Sequence, residues 1–261
     1  MEQLAIIKIG GQVIDQPKAL DLFLKDFANI PGKKILVHGG GKLATTVAEA
    51  MGISQQMIDG RRITDAETLK VVTMVYAGYI NKNLVAALQG NGCNAIGITG
   101  ADANAILAEK RVHPSVDFGF VGDIRSVNVI FFQSLLQAGL SIVMAPITHD
   151  QQGQLLNTNA DTIAQELAKA LSSQYEVDLI YCFEKAGVLR DVQDINSLIP
   201  TINPAGFEAL KAQQIISAGM LPKLENAFAA VHAGVKKVTI GNYAELQLLV
   251  QQRAGTTITH E

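Results

Sequence analysis

Short, almost unbroken apolar runs recur along the chain, and each gives way to a stretch of helical periodicity. This alternation restricts the fold more than any other feature. The runs "AIIKI" (5–9), "KILVH" (34–38), "NAIGI" (94–98), "SIVMAPI" (141–147), "VDLIYCF" (177–183) and "KKVTI" (236–240) read as strands. A strand that is apolar on both faces must be covered on both, as in a parallel sheet flanked by helices. The intervening "PKALDLFLKDFANI", "GKLATTVAEAMG", "DAETLKVVTMVYAGYINKNLVAALQGNG", "ADTIAQELAKALSS" and "MLPKLENAFAAVHAG" read as amphipathic helices. The pattern predicts a three-layer α/β/α sandwich around a central, open, mainly parallel sheet. One stretch breaks the rhythm. Residues 106–128 alternate in polarity and carry Gly119 and Gly122, which predicts short antiparallel hairpin strands at the sheet edge or over a site. With 261 residues, 48% of them hydrophobic, the chain can form one large domain or two lobes that share a sheet. No low-complexity linker or internal repeat divides it, and the softest boundary lies near "LSSQYEVD" (171–178).

Several function classes are disfavoured. No apolar run reaches the roughly 20 residues of a membrane helix. The start, "MEQLAIIKIGG", has no basic segment, and a lysine and glycines interrupt its apolar run, unlike a signal peptide. A soluble cytoplasmic protein is expected. Net charge is −3, aromatic content is 5% and there is no tryptophan, which argues against a nucleic-acid platform. Cys93 and Cys182 form no CxxC and read as buried reduced thiols. The five histidines are scattered, so no metal held mainly by side chains is expected.

The chemistry must come from glycines, lysines and amides. "ILVHGGGKLATT" (35–46) places three glycines between a strand and a helix, where a backbone can approach an anion closely. It satisfies G-x-G-x-x-A from Gly39 to Ala44. The acidic partner that a dinucleotide fold requires on a second strand would be Asp59, whose surroundings do not read as a buried strand. A phosphate-binding loop of the Walker type fails at Leu36 and Leu43, where it needs glycine and Ser or Thr. A second glycine turn, Gly10–Gly11, ends the first strand, and Lys8 interrupts that strand just before it. A buried lysine is costly unless an anion or a carboxylate meets it. Both turns fall on the carboxyl edge of a parallel sheet, where open α/β sheets bind ligands. In "LLNTNADTIAQEL", Asn157 and Asn159 alternate and point the same way on an extended segment. Asp161 opens a helix, where it can be an N-cap or first-turn acid. Lys223 lies in the first turns of another helix, after Gly219.

Taken together, "IKIGGQ" (7–12), "VHGGGK" (37–42), "DGRRIT" (59–64), "LLNTNADTIA" (155–164) and "GMLPKLENA" (219–227) resemble, in family order and over nearly the whole chain, the amino acid kinase superfamily and within it the N-acetylglutamate kinases of arginine biosynthesis. The resemblance implies phosphorylation of the γ-carboxylate of an N-acylglutamate by ATP, with Mg²⁺ held mainly through the ATP phosphates. N-acetyl is the default acyl group. N-succinyl remains open, with Arg61, Lys110 and Arg111 as possible partners for its extra carboxylate. Lys8 and Lys223 would be catalytic, oriented by Asp161. The turn Gly10–Gly11 would bind the phosphoryl group, with Gly11 and Gly40 donating backbone N–H groups to it. Gly40, Gly41, Arg62 and Asn157 would hold the acylglutamate, with Asn159 supporting that region. ATP would lie against Glu184, Gly187, Val188, Ile216, Ser217 and Gly219. Residues 1–172 would form the acylglutamate-binding and dimerising lobe, and 173–261 the ATP lobe. Lys42, just past the glycines, is expected on the solvated helix surface.

Two departures qualify the resemblance. Glu184, Lys185 and Ala186 stand where the family usually has an aspartate and an apolar residue before the glycine. The extra N-terminal helix of arginine-inhibited hexameric relatives does not precede the first strand, so a homodimer without arginine feedback is expected. A carboxylate nucleophile is already ionised at neutral pH and needs no general base. The reaction instead needs alignment and relief of charge repulsion. Another carboxylate or carbamate kinase, or a catalytically silent nucleotide or acylglutamate sensor, are the alternatives.

Overall fold

The computed structural model describes residues 1–58, 61–191, 193–213, 215–216 and 220–260. Its strands, in chain order, are β1 (Gln3–Ile9), β2 (Lys33–His38), β3 (Met57–Ile58), β4 (Arg61–Arg62), β5 (Ala95–Ile98), β6 (Ile106–Lys110), β7 (Gly122–Val127), β8 (Ser141–Met144), β9 (Ile147–His149), β10 (Leu155–Asn157), β11 (Glu176–Phe183), β12 (Thr201–Ile202), β13 (Lys237–Asn242) and β14 (Thr256–Ile258). An 8-stranded sheet runs β12-β14-β13-β11-β1-β2-β8-β5. The strands from β13 to β5 are mutually parallel, and β14 pairs antiparallel with β13. The expected open, mainly parallel α/β/α sandwich is what forms.

Residue parity explains how each strand is shared between the two faces, because successive side chains of a strand point to opposite sides. Leu4 and Ile6 of β1 join one core with Ile163, Leu167 and Leu224, under the helices Ala160–Leu171 and Leu221–His232. Ile7 and Ile9 join the other with Phe23, Phe27, Val72 and Leu84, under Pro17–Asn29 and the long helix Ala66–Gly90. That long helix has the length and apolar composition of a membrane span, but Val72, Tyr76, Ile80, Leu84 and Leu88 are buried against the sheet, as in a core helix. Its middle, Met74–Ile80, is wound as a π-helix.

Three differences from the sequence reading have local causes. The run 141–147 is not one strand: β8 ends at Met144, the chain turns at Ala145–Pro146, and β9 leaves the main sheet. Proline cannot continue a ladder. The helix Val129–Gln137 was hidden because "VIFFQSLLQ" is apolar with little period; Asn128 caps it by accepting from Phe131 N. The helix Pro204–Ala212 begins at Asn203, which caps Gly206 N, and has proline in its first turn, a start signal in plain sight. The hairpin expected over 106–128 is β6–β7, and it joins β9 and β10 in a 4-stranded sheet. Bridges from Gly119 to Thr64 and from Val121 to Asn157 hold it beside the carboxyl edge of the main sheet.

Candidate active site

A cleft of about 210 Å³ opens at the carboxyl edge, lined by Lys8, Gly11, Gly39–Gly41, Arg61, Arg62, Tyr76, and the run Asn157–Asp161. Lys8 lies on β1 with the parity of Leu4 and Ile6, so it faces the helix Ala160–Leu171. There its Nζ meets Asp161 Oδ1 at 2.6 Å, with the two side chains 9% and 19% exposed. The N-cap of that helix is Asn159, whose side chain accepts from Asp161 N and Thr162 N at 2.9 and 3.1 Å. Asp161 therefore sits in the first turn with its carboxylate free for the lysines, and the helix N-terminus favours its negative charge.

Lys223 comes from the helix Leu221–His232. Its Nζ stands 3.5 Å from the centroid of the Phe183 ring, and Lys8 Nζ stands 5.6 Å from the same centroid. Phe183 ends β11, so two ammonium groups stand near one aromatic ring, at distances where cation–π attraction operates. Burial would raise the Asp161 carboxyl, but the Lys8 and Lys223 charges and the Lys8 hydrogen bond outweigh it and hold it below its ordinary range. Burial lowers the Lys223 ammonium, Asp161 opposes that shift, and Lys8 adds to it. The three groups form one electrostatic unit with an excess of positive charge.

The glycine turns press together. A Cβ on Gly11 would lie 3.6 Å from both Gly40 N and Gly41 N. Gly40 has φ +153° and ψ 15° and precedes the helix Gly41–Ala50. A Cβ there would come within 2.3 Å of Ile80 Cδ1 and 3.2 Å of the Tyr76 ring, so both conformation and space demand glycine. Gly10 is extended, with no atom within 4 Å of a Cβ.

On the far side of these turns, Arg62 is 6% exposed. Its Nη2 donates to Gly41 O and Thr45 Oγ1, both at 2.8 Å, and its Nη1 donates to Gln55 Oε1. None of these acceptors is a carboxylate, so the charge of a buried guanidinium stays available to an anion in the cleft. Asn157 Nδ2 donates to Thr64 Oγ1 at 3.0 Å, which fixes the amide at the end of β10.

The structure thus brings Lys8, Asp161, Lys223, Gly11, Gly40, Gly41, Arg62, Asn157 and Asn159 around one edge. The residues expected to bind ATP are more scattered. Glu184 is exposed, and its carboxylate faces the Gln12 amide. Gly187 has φ +159°, and Val188 is buried with its N–H donated to Thr256 Oγ1 at 2.8 Å. Ile216 packs half-buried against the core. Ser217 and Gly219 lie outside the described residues, as do Asp59 and Gly60 of "DGRRIT". Tyr76 and Phe183 were not singled out as site residues, and only Phe183, an aromatic at the carboxyl end of a strand, carried a local signal.

Lys42 is exposed on the surface of the helix Gly41–Ala50 and lines a separate groove with Asp15 and Tyr79. Lys42→Ala should leave kcat and both KM values within about three-fold of wild type, as for surface changes away from a site. A hundred-fold loss in steady-state assays would contradict that.

Residues 3–242 match the amino acid kinase family. The chain belongs to the amino acid kinase family. This amino acid kinase is 56% identical over 253 residues to the acetylglutamate kinase of Cytophaga hutchinsonii, covering 97% of this chain and 96% of that one. It is 54% identical to the acetylglutamate kinase of Phocaeicola vulgatus, over 98% of each. Among solved structures it superimposes on N-acetylglutamate synthase from Neisseria gonorrhoeae, complexed with coenzyme A and N-acetyl-glutamate, with a TM-score of 0.84 and 24% identity. The match takes in the whole of this chain and 60% of that longer one. Carbamate kinase from Giardia lamblia bound to AMP-PNP matches with a TM-score of 0.72 and 16% identity, over 100% of this chain and 99% of the other. These two structural likenesses show the fold.

Proposed function

We propose that the chain transfers the γ-phosphoryl group of ATP to the γ-carboxylate of an N-acyl-L-glutamate, N-acetyl by default, giving the acyl phosphate of arginine biosynthesis. Membership of the family makes it a phosphotransferase. The observation that carries the acceptor is the buried Arg62, in the same cleft as the Asn157 amide and the Lys8–Asp161 pair. Arg62 offers a cation to an α-carboxylate, and Lys8 offers one to a transferring phosphoryl group. High identity to two acetylglutamate kinases supports the same acceptor.

In this reading the acceptor carboxylate is the nucleophile, and no side chain takes a proton. Gly11 and Gly40 donate N–H groups to the transferring group from the two facing turns. Lys8 stabilises charge on the acceptor side, Lys223 on the leaving side, and Asp161 keeps both ammonium groups in place. At roughly 4 Å and an effective dielectric near 20, one lysine–oxyanion contact contributes about 4 kcal/mol before desolvation. Residues 1–172 carry the acceptor side and 173–261 the ATP side, with Mg²⁺ arriving on the ATP phosphates. A cytoplasmic homodimer fits the exposed Met74 and Tyr79 on the long helix, an apolar surface that a second copy would cover.

The test is ADP release with Mg-ATP and N-acetyl-L-glutamate, N-succinyl-L-glutamate, free glutamate or carbamate. Turnover with an acylglutamate alone is expected, and it identifies the acyl group. Turnover with carbamate instead, or ATP binding with no turnover, would overturn the proposal. Arg62→Ala should raise the KM for the acylglutamate by about 10- to 100-fold, the loss of a charge-assisted hydrogen bond, and leave the KM for ATP nearly unchanged. A rise confined to ATP would move Arg62 out of the acceptor site.

A further inference from the structure

Directly behind the glycine turns lies a polar chain that phosphoryl transfer itself does not touch. His38 ends β2 with the parity of Leu36, so its ring enters the core under the long helix and is 0% exposed. Its Nδ1 is 2.8 Å from Gly39 O, and its Nε2 is 3.3 Å from Asn81 Nδ2. The Asn81 amide is 1% exposed. Its Nδ2 also donates to Val143 O at 3.0 Å, and its Oδ1 accepts from Lys82 Nζ at 3.1 Å. Lys82 Nζ is itself held by Gly97 O at 2.7 Å.

This chain has one direction. A lysine ammonium only donates and a backbone carbonyl only accepts, so Lys82 and Val143 together fix which end of the Asn81 amide is oxygen and which is nitrogen. The nitrogen faces His38 Nε2, which must therefore accept. Burial lowers the imidazole to about 4, with Lys82 also acting downward and the Gly39 contact opposing, so the ring is neutral and holds one proton. With Nε2 accepting, that proton is on Nδ1 and is donated to Gly39 O. In a trans peptide the C=O and the following N–H point in opposite directions. Pinning the Gly39 carbonyl toward His38 turns the Gly40 N–H away from the ring, and Gly40 N lies 3.6 Å from where a Gly11 Cβ would stand. Gly40 N makes no backbone hydrogen bond among the described residues.

We infer that His38 and Asn81 are positioning residues: through a fixed imidazole tautomer they aim the Gly40 N–H at the phosphoryl group in transit. The inference rests on the phosphoryl-transfer reading. A glycine with this backbone has little intrinsic preference for one peptide orientation, so the aim must be imposed from outside the loop. A donor aimed in advance costs no reorganisation when charge develops.

The experiment combines side-chain ¹⁵N NMR of histidine-labelled wild type with kinetics of His38→Asn, His38→Gln and Asn81→Ala. The His38 resonances should show a protonated Nδ1 and an unprotonated Nε2. Asparagine places an N–H near the Nδ1 position, whereas glutamine reaches only toward Nε2. His38→Asn should keep kcat within about five-fold of wild type. His38→Gln and Asn81→Ala should lose about 30- to 100-fold in kcat, with both KM values within about three-fold, as for a misaligned transition-state donor. A protonated Nε2 in wild type, or equal kcat in the Asn and Gln variants, would overturn the inference. Where a variant does not fold, the wild-type tautomer decides alone. Wild type without turnover on any acceptor would instead remove the kinase reading, which separates the two failures.

Discussion

Lys8→Ala and Lys223→Ala are each expected to lower kcat by about 10²- to 10³-fold, the loss that follows removal of one preorganised donor to developing charge. The double variant should fall by less than the product, because both lysines share Asp161 and the Phe183 ring and groups in one network are not additive. Steady-state kcat and KM on folded protein check this; near-normal kcat in either single variant would remove that lysine from the mechanism. The same geometry gives a pH dependence. On the proposed mechanism Lys223 must be charged to act, and burial places its ammonium below the ordinary 10.5. As pH rises through that lowered value the charge is lost, so kcat/KM for ATP should show an alkaline limb that begins below 10.5. In Lys223→Arg the guanidinium does not titrate, and the limb should move upward. An unmoved limb would assign it to another group.

Gly40→Ala is expected to be as damaging, for a different reason. A Cβ at φ +153° is strained, and it would also meet Ile80 and Tyr76. Ile80 Cδ1 is the end of a flexible side chain and can move, but the backbone torsion cannot be relieved without turning the peptide. The expected result is a loss of about 1–3 kcal/mol in urea unfolding and a kcat reduced about 10²-fold or more, as the N–H donors lose their aim. Gly10→Ala is the control. Its φ of −75° and open surroundings predict stability within about 0.5 kcal/mol of wild type. Equal behaviour of the two variants would show that the Gly40 conformation is not what matters.

Much of this was legible in the sequence because the decisive signals are local. Every apolar run but 141–147 forms a single strand, and the parity of Leu4 and Ile6 already says which face Lys8 must take. The glycine turns announced the carboxyl edge. What was not legible depends on partners far away in the chain. Nothing near Asn159 distinguishes it from Asp161 as the helix cap; the fold decides, by setting a lysine from β1 opposite the aspartate. Phe183 reads as one more strand residue until Lys223 is brought over its ring. His38 reads as an unremarkable histidine beside a glycine loop until Asn81 reaches it from the long helix. The split of 141–147 was visible at Pro146, but only the pairing of β9 with β10 shows where the chain goes.

The long sheet has a consequence for how such a protein can change over time. β1 is paired with β11 over its whole length, from Gln3–Glu176 to Ile9–Cys182, so the Lys8 strand and the Phe183 strand keep their spacing through one rigid support. Arg62 and Asn157 stand on the short β3–β4 pair and on the 4-stranded sheet. On the proposed assignment, Lys8 and Phe183 stand on the main sheet, whereas Arg62 and Asn157 stand on the small ones and are tied back to the transfer site through Gly41 and the helix that carries Asp161. Substitutions in the small sheets can then change the recipient while β1 and β11 keep their spacing, but each such change also reaches the transfer site through those two ties.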